Sequence, residues 1–350
     1  MEISEKEQKY LRIFISGETL RSSQIHGRLL DRKEAVSLVT VKRSLSGLSD
    51  RGLIGSVGSG PATAYVITPV GRIFTDIDAA ASCSVEPDKR FGKNRYDPAV
   101  LKHMPERIFS EKEIALFEAA TVEYLKRSED LPSTLAKKEL ERLIIELSWK
   151  SSRIEGNTYT LLDTEKLILN NETAVGHEPV EAKMILNHKD AFTFVREHAS
   201  EFDTVTRANL EKLHSIITGG LGVGTGLRSR PVGVVGSVYH PLDNIHQIRE
   251  GVDHISAMVS RMASPYAKAM LALLGISYLQ PFEDGNKRTA RLAANAILLR
   301  YGRAPLSYRS VDENEYREAM LVFYELNSIV PFKRIFLAQY DFAARNYAVR

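Results

Sequence analysis

The 350-residue chain contains a single cysteine, Cys83. One cysteine excludes an intrachain disulfide and a cluster of thiolate metal ligands, which is typical of proteins from a reducing compartment. The sequence has no run of about 18 apolar residues, so no membrane-spanning helix and no membrane partner are expected. Its first residues are charged and lack the apolar core of a signal peptide. Together these absences predict a cytoplasmic protein.

Net charge is small as well. At +3, with a sequence pI near 8.7, the overall balance does not by itself indicate a polyanionic partner. The charges are unevenly distributed: residues 1–75 hold eleven Lys and Arg against seven Asp and Glu, a net of +4, which leaves −1 for the rest. A surface that binds nucleic acid is therefore expected near the N-terminus.

The first 75 residues change quickly from helical to strand-like patterns, which predicts a small α+β domain. Three amphipathic segments precede a glycine-rich turn and a short alternating segment. The third helix is expected to expose Lys42 and Arg43 and to bury four apolar side chains: Val39, Val41, Leu45 and Leu48. This order resembles a winged helix-turn-helix, with residues 55–68 as the wing. The resemblance implies that residues 1–75 bind duplex DNA through Lys42 and Arg43, although such folds also mediate protein contacts or dimerisation.

Beyond a predicted linker at residues 76–98, nearly every segment has helical periodicity. The predicted helices are 111–126, 135–154, 163–170, 179–198, 206–218, 245–260, 266–279, 287–301, 312–326 and 333–347. The exception is 230–242, where β-branched residues alternate with glycine as in a hairpin. The expected fold is therefore mainly α, with an all-helical domain that carries one β-hairpin and is preceded by the small α+β domain.

The most informative stretch runs from Gln280 to Arg291. The apolar helix before it predicts a rigid support for Gln280, and Pro281 ends that helix because proline has no backbone N–H. Phe282 is expected to anchor the following loop in the core. Gly285 permits a left-handed turn, so the first amides of the next helix can form an anion-binding nest aided by the helix dipole.

Charged residues of the same stretch suit a phosphate ligand with a metal. Arg288 and Arg291 lie three residues apart, hence on one helix face, and can bind phosphate oxygens. Asp284 offers the oxygen ligand that Mg²⁺ prefers. Gln280 stands where such a site is expected to carry a base. The residues alone leave one alternative open: an ordinary turn followed by solvated or acid-paired arginines.

This stretch resembles the signature of the Fic family, His-x-Phe-x-Asp/Glu-Gly-Asn-Gly/Lys-Arg-x-x-Arg. Every named position from Phe282 to Arg291 fits, and Gln280 replaces the leading histidine. The family, related to the Doc toxins, transfers AMP or another phosphate-containing group from a nucleotide to a protein hydroxyl. The resemblance implies a Fic domain over residues 99–350, with its signature loop and helix at 280–301.

The resemblance also implies ligands and residue roles. ATP is the expected substrate, with Mg²⁺ held by Asp284. The nucleotide-binding residues implied are Gly285, Asn286, Lys287, Arg288 and Arg291. The catalytic positions implied are Gln280, Asp284, Asn286 and Arg288.

A second segment, Ser151 to Gly156, resembles the inhibitory Ser/Thr-x-x-x-Glu-Gly/Asn motif of some Fic proteins. It ends a predicted inhibitory helix at 135–156. In the family, the glutamate pairs with the second signature arginine, so the resemblance implies an autoinhibitory salt bridge between Glu155 and Arg291. Taken alone, Glu155 is equally an exposed acid at a helix end. Inhibition can act within one chain or across a homodimer, and both alternatives stay open.

A third segment, the predicted hairpin at 230–242, resembles the Fic flap, which holds a target protein by strand addition. The flap residues implied to contact a target are Val232, Val234, Val235 and Tyr239. An ordinary edge hairpin is the alternative. Leu210, Leu213 and His214, followed by Gly226-Leu227-Arg228, lie where the family has the helix and arginine that lead into the flap.

Gln280 divides the functional interpretation, because glutamine has no group that accepts a proton near neutral pH. One hypothesis is a weak adenylyltransferase, or an enzyme of the reverse reaction, that uses another base; His240 is the histidine we nominate. A second is a catalytically inactive, nucleotide-binding domain that reports to the winged helix as a transcriptional regulator. A third hypothesis is a Doc-type kinase, because Lys287 fills a position where such kinases also carry lysine. It ranks lowest, because Gly285 retains the usual adenylyltransferase residue and a kinase would still need a base.

Overall fold

The computed structural model describes residues 2–129 and 131–349, which form two compact units. The first contains the residues up to Pro105 together with 234–239 and 317–333. The second contains Glu106–Gly233, His240–Tyr316 and the residues from Arg334 onward. The domain boundaries at residues 75 and 98 stay a prediction.

The first unit begins with short helices around a small sheet. Its elements up to Pro105 are α1 (Glu5–Phe14), β1 (Leu20–Arg21), α2 (Ser22–Asp31), α3 (Leu38–Asp50), β2 (Ile54–Val57), β3 (Ala64–Ile67), α4 (Pro69–Ile73), α5 (Ala79–Cys83) and α6 (Pro98–Lys102). The antiparallel sheet has the strand order β1-β3-β2, with Ile54 opposite Ile67 and Leu20 opposite Tyr65. The three helices and the hairpin were expected, whereas β1 and the short helices α4 to α6 were not.

Helix α3 has its apolar side where the periodicity places it, with one exception. Val41, Leu45 and Leu48 are buried in the core that α1, α2 and the sheet share. The expectation that Val39 is buried was wrong, because this side chain lies in the first turn of the helix and is 77% exposed. Lys42 and Arg43 are exposed, as expected.

The second unit is helical. Its elements are α7 (Glu111–Glu129), α8 (Ser133–Ile154), α9 (Leu161–Asn170), α10 (Pro179–Glu197), α11 (Arg207–Ile217), α12 (Ile245–Arg261), α13 (Pro265–Leu279) and α14 (Asn286–Arg300). Two further helices, α15 (Glu313–Leu326) and α16 (Val330–Asn346), contribute residues to both units. Each helix predicted between residues 111 and 347 has a counterpart whose ends lie within three residues of the prediction. The mainly α fold class is confirmed.

Helix α13 lies at the centre of the second unit. Its apolar residues continue around the whole helix, and every residue from Ala269 to Leu279 is buried, as the lack of a polar face requires. It packs against α12 and, along most of its length, against α14. The loop between α13 and α14 is therefore held between two buried helices.

The β-hairpin predicted at 230–242 was wrong: the structure has no strand in this range. A turn closed by the Ser237 N–H and the Val234 carbonyl lies in the first unit. In the second unit, the carbonyls of Arg230 and Leu242 both accept hydrogen bonds from the guanidinium of Arg228. These backbone groups are satisfied by a side chain rather than by a facing strand, which explains the absence of a ladder there.

No helix in the described part of the chain is both long and apolar enough to cross a bilayer.

Candidate functional site

The site begins where α13 ends, at Gln280. This residue adopts a left-handed conformation, with φ 50° and ψ 60°, and its N–H donates to the Ile276 carbonyl at 3.0 Å. Its side-chain Nε2 donates to the Ser277 carbonyl at 2.6 Å, which satisfies one of the carbonyls that a helix end leaves free. The carboxamide is thus held by the end of its own helix. It can donate and accept hydrogen bonds, but it cannot take a proton at neutral pH.

Arg228 fixes the backbone around Gln280. Its Nε donates to the Gln280 carbonyl at 2.6 Å, and its backbone N–H donates to the Pro281 carbonyl at 3.0 Å. The arginine is buried, and it stands at the C-terminal end of α13, where the helix dipole favours a cation. From the sequence, Arg228 was expected only as the lead into the flap. Its contact with Gln280 was not foreseen, because the two residues are 52 positions apart in the chain.

The loop after Pro281 is closed by a reciprocal pair of hydrogen bonds. The Phe282 N–H donates to Asn286 Oδ1, and Asn286 Nδ2 donates to the Phe282 carbonyl, each at 2.8 Å. Phe282 is fully buried, which confirms the predicted anchor. Asn286 was proposed to bind nucleotide and to act in catalysis; in this structure its side chain shapes the loop.

His214 on α11 supports the same loop from the other side. Its ring is stacked on Phe282, with ring centroids 3.8 Å apart and planes within 8°. Its Nε2 donates to the Asp284 carbonyl at 2.9 Å. Burial lowers the pKa of His214, so the imidazole is neutral and its contact with the loop persists at neutral pH. The nearby apolar residues of α11 were a signal that His214 faces inward, but its partner is 70 residues away.

Gly285 makes the turn into α14. Its φ of 75° is in the left-handed region, as predicted. A Cβ atom at this position would lie 3.0 Å from Thr218 Cγ2, so there is also little room for a side chain. The helix begins at Asn286, and its first N–H groups have no acceptor within the helix. This end of α14 can therefore receive an anion.

Asp284 and Arg288 form an ion pair at the start of α14. Arg288 Nη2 lies 3.0 Å from Asp284 Oδ2; the arginine is buried, whereas the aspartate side chain is 68% exposed. Burial lowers the pKa of Arg288, an effect that the charges of Asp284 and Glu155 oppose. Nη1 of Arg288 is buried without a hydrogen-bond partner in the described part of the chain.

The residues present fit Mg²⁺ only as a shared site. The described residues contain no group of three or more His, Cys, Asp or Glu that could hold a metal ion. Mg²⁺ retains several waters and often binds one carboxylate together with substrate phosphates. The exposed carboxylate of Asp284, beside cations that can hold those phosphates, is consistent with that chemistry.

Arg291 is the most buried cation of the site, with no exposed surface. Its Nε donates to Ser151 Oγ and its Nη2 to the Ser151 carbonyl, both at 2.8 Å. The ring of Tyr316 lies 5.7 Å from the guanidinium carbon. Burial by itself would lower the pKa of Arg291, but the negative charge of Glu155 and the nearby rings of Tyr316 and Tyr308 together outweigh burial and raise it. Arg291 is therefore a permanent cation.

Glu155 lies at the end of α8 and faces two cations. Its Oε1 is 2.9 Å from Arg291 Nη1, and its Oε2 is 3.4 Å from Lys287 Nζ. The pair with Arg291 lacks the alignment of a hydrogen bond and is an ion pair. Burial would raise the pKa of Glu155, but the charges of Arg291 and Lys287 outweigh it and hold the pKa below its ordinary value. The predicted contact between Glu155 and Arg291 is confirmed; the second one, to Lys287, was not foreseen.

Gly156 ends α8 directly after this glutamate. Its φ of 98° is open to glycine and unfavourable for other residues. The N–H groups of Glu155 and Asn157 both donate to the Ser152 carbonyl, which tightens the last turn. Glu155 stands in this turn, from which its side chain reaches Arg291 and Lys287 of α14.

Two further histidines of the second unit differ in burial: His188 is buried and His240 is exposed. His188 on α10 is fully buried, and neither ring nitrogen has a hydrogen-bond partner within the described residues. Burial, and then the charges of Arg291 and Arg288, hold its pKa well below the ordinary value, so His188 is neutral. His240, which we nominated as a substitute base, is exposed, and this nomination stays a prediction.

The segment that contains most of these residues is similar to known proteins. Residues 204–298 match the family model described as the Fic/DOC family, so the chain contains a Fic/DOC family domain. This range includes α11, α12, α13 and α14 as far as Leu298, and therefore His214, Arg228 and the loop from Gln280 to Arg291. It does not include Ser151 or Glu155.

Several curated relatives that match carry the name protein adenylyltransferase. "Protein adenylyltransferase Fic" of Nematostella vectensis is 27% identical over 186 residues, 52% of this chain and 44% of the relative. "Protein adenylyltransferase fic-1" of Caenorhabditis elegans is 25% identical over 186 residues, 52% of this chain and 36% of the relative. The chain thus spans less than half the length of these relatives.

Solved structures share the fold. A fragment of Fic-1 from C. elegans superposes with a TM-score of 0.55 at 19% identity, covering 67% of this chain and 71% of the fragment. A Fic family protein from Desulfovibrio desulfuricans G20 superposes with a TM-score of 0.56 at 23% identity, covering 69% of this chain and 76% of that one. At these identities the likeness establishes the fold alone.

Proposed function

We propose that this chain is a Fic-type nucleotidyltransferase that transfers AMP from ATP to a protein hydroxyl, is inhibited by Glu155 and is weakened by Gln280. The observation that carries the proposal is the ion pair between Glu155 and Arg291, 2.9 Å apart, at the loop that matches the Fic/DOC family. A buried arginine held by a carboxylate from another helix is what an inhibited phosphate site requires. The adenylyltransferase relatives support the same reaction class.

The reaction requires a phosphate chain to be held while one bond is exchanged. The target hydroxyl oxygen forms a bond to the α-phosphorus, the bond from that phosphorus to the β-phosphate bridge breaks, and pyrophosphate leaves. Arg288, Arg291 and the first N–H groups of α14 would bind the phosphate oxygens. Mg²⁺ held by Asp284 would neutralise charge that develops on the leaving group.

Glu155 would inhibit by occupying the cation that the nucleotide needs. Its carboxylate and a phosphate group compete for the same Nη1 of Arg291, since Nε and Nη2 already donate to Ser151. Removal of the carboxylate would free Nη1 without disturbing the rest of the arginine. Inhibition of this kind therefore predicts activation when Glu155 is replaced by a residue without charge.

Gln280 would limit the chemistry rather than binding. The proton of the attacking hydroxyl has to pass to water or to another base, because Gln280 cannot accept it. General-base catalysis contributes about 10²–10⁴-fold, so transfer should be slower by a factor in this range than with a histidine. Neither Arg288 nor Arg291 depends on this side chain for its position, and nucleotide binding should be retained.

The test is incubation with ATP labelled on the α-phosphate, Mg²⁺ and cell lysate. The parent, Glu155→Gly and Gln280→His proteins are compared for label in protein bands. Labelling by Glu155→Gly supports a transferase that works with glutamine at position 280. Labelling only after histidine is introduced supports an inactive domain. If no protein retains nucleotide at all, the site is not a nucleotide site and the proposal is wrong.

A target protein is proposed to bind along 230–242, and Val235 is the side chain there that is almost fully exposed, at 96%. Because this segment is a loop with a turn, strand addition would require it to extend on binding.

A cytoplasmic location and a homodimer are further parts of the proposal.

A second candidate function is a nucleotide-binding transcriptional regulator. It is favoured by the exposed face of α3, where Lys42 and Arg43 are both exposed. By contrast, Lys9, Arg12, Arg28 and Arg51 are paired with nearby acids. Lys42 and Arg43 have no ion-pair partner among the residues that the structure describes, and such cations on the third helix of a helix-turn-helix arrangement would suit phosphate groups of DNA. This function differs from the proposed AMP transfer in its partner, which is duplex DNA.

A gel-shift titration with duplex DNA at two salt concentrations tests this alternative. Phosphate contacts predict binding that weakens steeply with salt and is lost in Lys42→Ala/Arg43→Ala. Binding that survives both changes, or no binding by the parent, would rule out this role for α3.

A further inference from the structure

Lys287, in the first turn of α14, contacts Glu155 at the end of α8. Its Nζ lies 3.4 Å from Glu155 Oε2, while Arg291 takes Oε1 of the same carboxylate. Lys287 and Arg291 are four residues apart, hence neighbours on one helix face. Both oxygens of Glu155 are thus engaged, and each has a different cation.

Three cations and two acids share this helix start. Lys287, Arg288 and Arg291 all lie within the first six residues of α14, and Asp284 pairs with Arg288. If Glu155 moves away, the ion pair of Arg288 with the exposed Asp284 is the one that the described residues still provide for these three cations, which lie at the positive end of the helix dipole. Such a concentration of charge favours a ligand with several phosphates over a ligand with one.

We propose that Lys287 determines which nucleotide the site accepts: it is the second cation that holds Glu155, and a polyphosphate chain must displace the carboxylate from Lys287 and Arg291 together. This inference rests on the proposed function. A nucleoside monophosphate can use Arg288, whose buried Nη1 has no hydrogen-bond partner in the described part of the chain. A nucleoside triphosphate also needs the two cations that Glu155 holds, so Glu155 opposes its binding, and the contact of Glu155 with Lys287 sets part of that opposition.

A double-mutant cycle separates the two roles of Lys287. The four proteins are the parent, Glu155→Gln, Lys287→Met and the double variant, and the ligands are ATP with Mg²⁺ and AMP, titrated by calorimetry. Lys287→Met removes a phosphate contact in every background. In proteins that retain Glu155, Lys287→Met also removes one of the two cations that hold the Glu155 carboxylate. ATP then displaces the carboxylate more easily, which partly offsets the lost phosphate contact. Lys287 is 29% exposed in its side chain, so methionine can be accommodated.

The cycle has a definite expected result. The loss of ATP affinity caused by Lys287→Met should be about 2–5-fold smaller in the parent than in Glu155→Gln, the range of a partly exposed ion pair. AMP should show no such difference between backgrounds. Lys287→Arg should retain the parent's preference, and Lys166→Met, a change at an exposed lysine on α9, should alter neither affinity.

Each other outcome overturns the inference. If Lys287→Met costs the same ATP affinity in both backgrounds, Lys287 does not hold Glu155, and the proposed function is unaffected provided that Glu155→Gln still binds ATP more tightly than the parent. An equal difference for AMP would mean that phosphate number is not what the pair discriminates. If none of the four proteins binds ATP or AMP, the proposed function fails and the role of Lys287 fails with it.

Discussion

Arg291 donates two hydrogen bonds to a single residue, Ser151: Nε to the hydroxyl and Nη2 to the backbone carbonyl, each at 2.8 Å. Both residues are fully buried. Ser151 lies four residues before Glu155, so α8 holds the arginine with a neutral residue and a charged one on the same face. The guanidinium is thereby oriented before any ligand arrives, and Nη1 is the nitrogen left for Glu155 or a phosphate.

Ser151→Ala should destabilise the protein by about 1–3 kcal/mol, because the Arg291 Nε–H loses its acceptor in a buried position. Ser152 provides a matched control. It is equally buried, and its hydroxyl has no hydrogen-bond partner within the described residues. Ser152→Ala should therefore change stability little. Urea denaturation of both variants beside the parent measures the difference, and equal midpoints for the two would show that the Ser151 hydroxyl does not hold Arg291.

Gly285→Ala should destabilise the loop for two reasons. A left-handed conformation costs an alanine about 1–2 kcal/mol, and the new Cβ would lie 3.0 Å from Thr218 Cγ2, which adds strain typically of about 1–3 kcal/mol. Gly222 has a similar φ of 72° with no atom within 4 Å of its Cβ position. Gly222→Ala should show the first cost alone. Thermal unfolding of both variants measures how much more stability Gly285→Ala loses than Gly222→Ala. Equal losses would mean that the loop shifts to relieve the contact with Thr218.

Stability should fall as pH decreases from 7.5 to 5.5. His188 is buried and its pKa in the folded protein is well below the ordinary value, whereas an unfolded histidine titrates near 6.5. Below about pH 6.5 the unfolded chain therefore binds a proton that the folded chain refuses, at a cost of at most about 1.4 kcal/mol per pH unit for each such histidine. His214, whose pKa is also lowered, acts in the same direction.

Replacement of His188 isolates its share of this dependence. Unfolding midpoints measured by circular dichroism across that range should depend less on pH in His188→Leu than in the parent. His246→Gln, a change at an exposed histidine, should leave the dependence unaltered. A His188→Leu protein with the parent's full dependence would show that His188 is protonated in the folded state.

Sequence analysis predicted best what depends on neighbouring residues. The end of α13, the left-handed Gly285 and the burial of Phe282 all follow from local preferences within six residues. The pairing of Glu155 with Arg291 spans 136 positions, and local preferences carry no information about such a contact. It was predicted only because the residues resemble a family motif.

What could not be predicted is mostly contact between distant segments. Arg228 and His214 stabilise the signature loop by donating hydrogen bonds to backbone carbonyls. Every residue has such a carbonyl, so the sequence does not indicate which one a distant side chain will bind. The alternation at 230–242 suggested a hairpin, but strands need facing backbone partners, and Arg228 binds carbonyls of this segment instead. Val39 fits the helical period, yet its position in the first turn of α3 leaves it exposed.

The most direct measurement uses the double variant Glu155→Gly/Gln280→His, incubated with Mg²⁺ and ATP labelled on the α-phosphate, in the presence of cell lysate. This protein has Arg291 released and a base restored. It should attach labelled AMP to protein, and more of it than either single variant, with the parent weakest. If the double variant binds ATP and Mg²⁺ but no protein acquires AMP, the loop from Gln280 to Arg291 is not the centre of an AMP transferase.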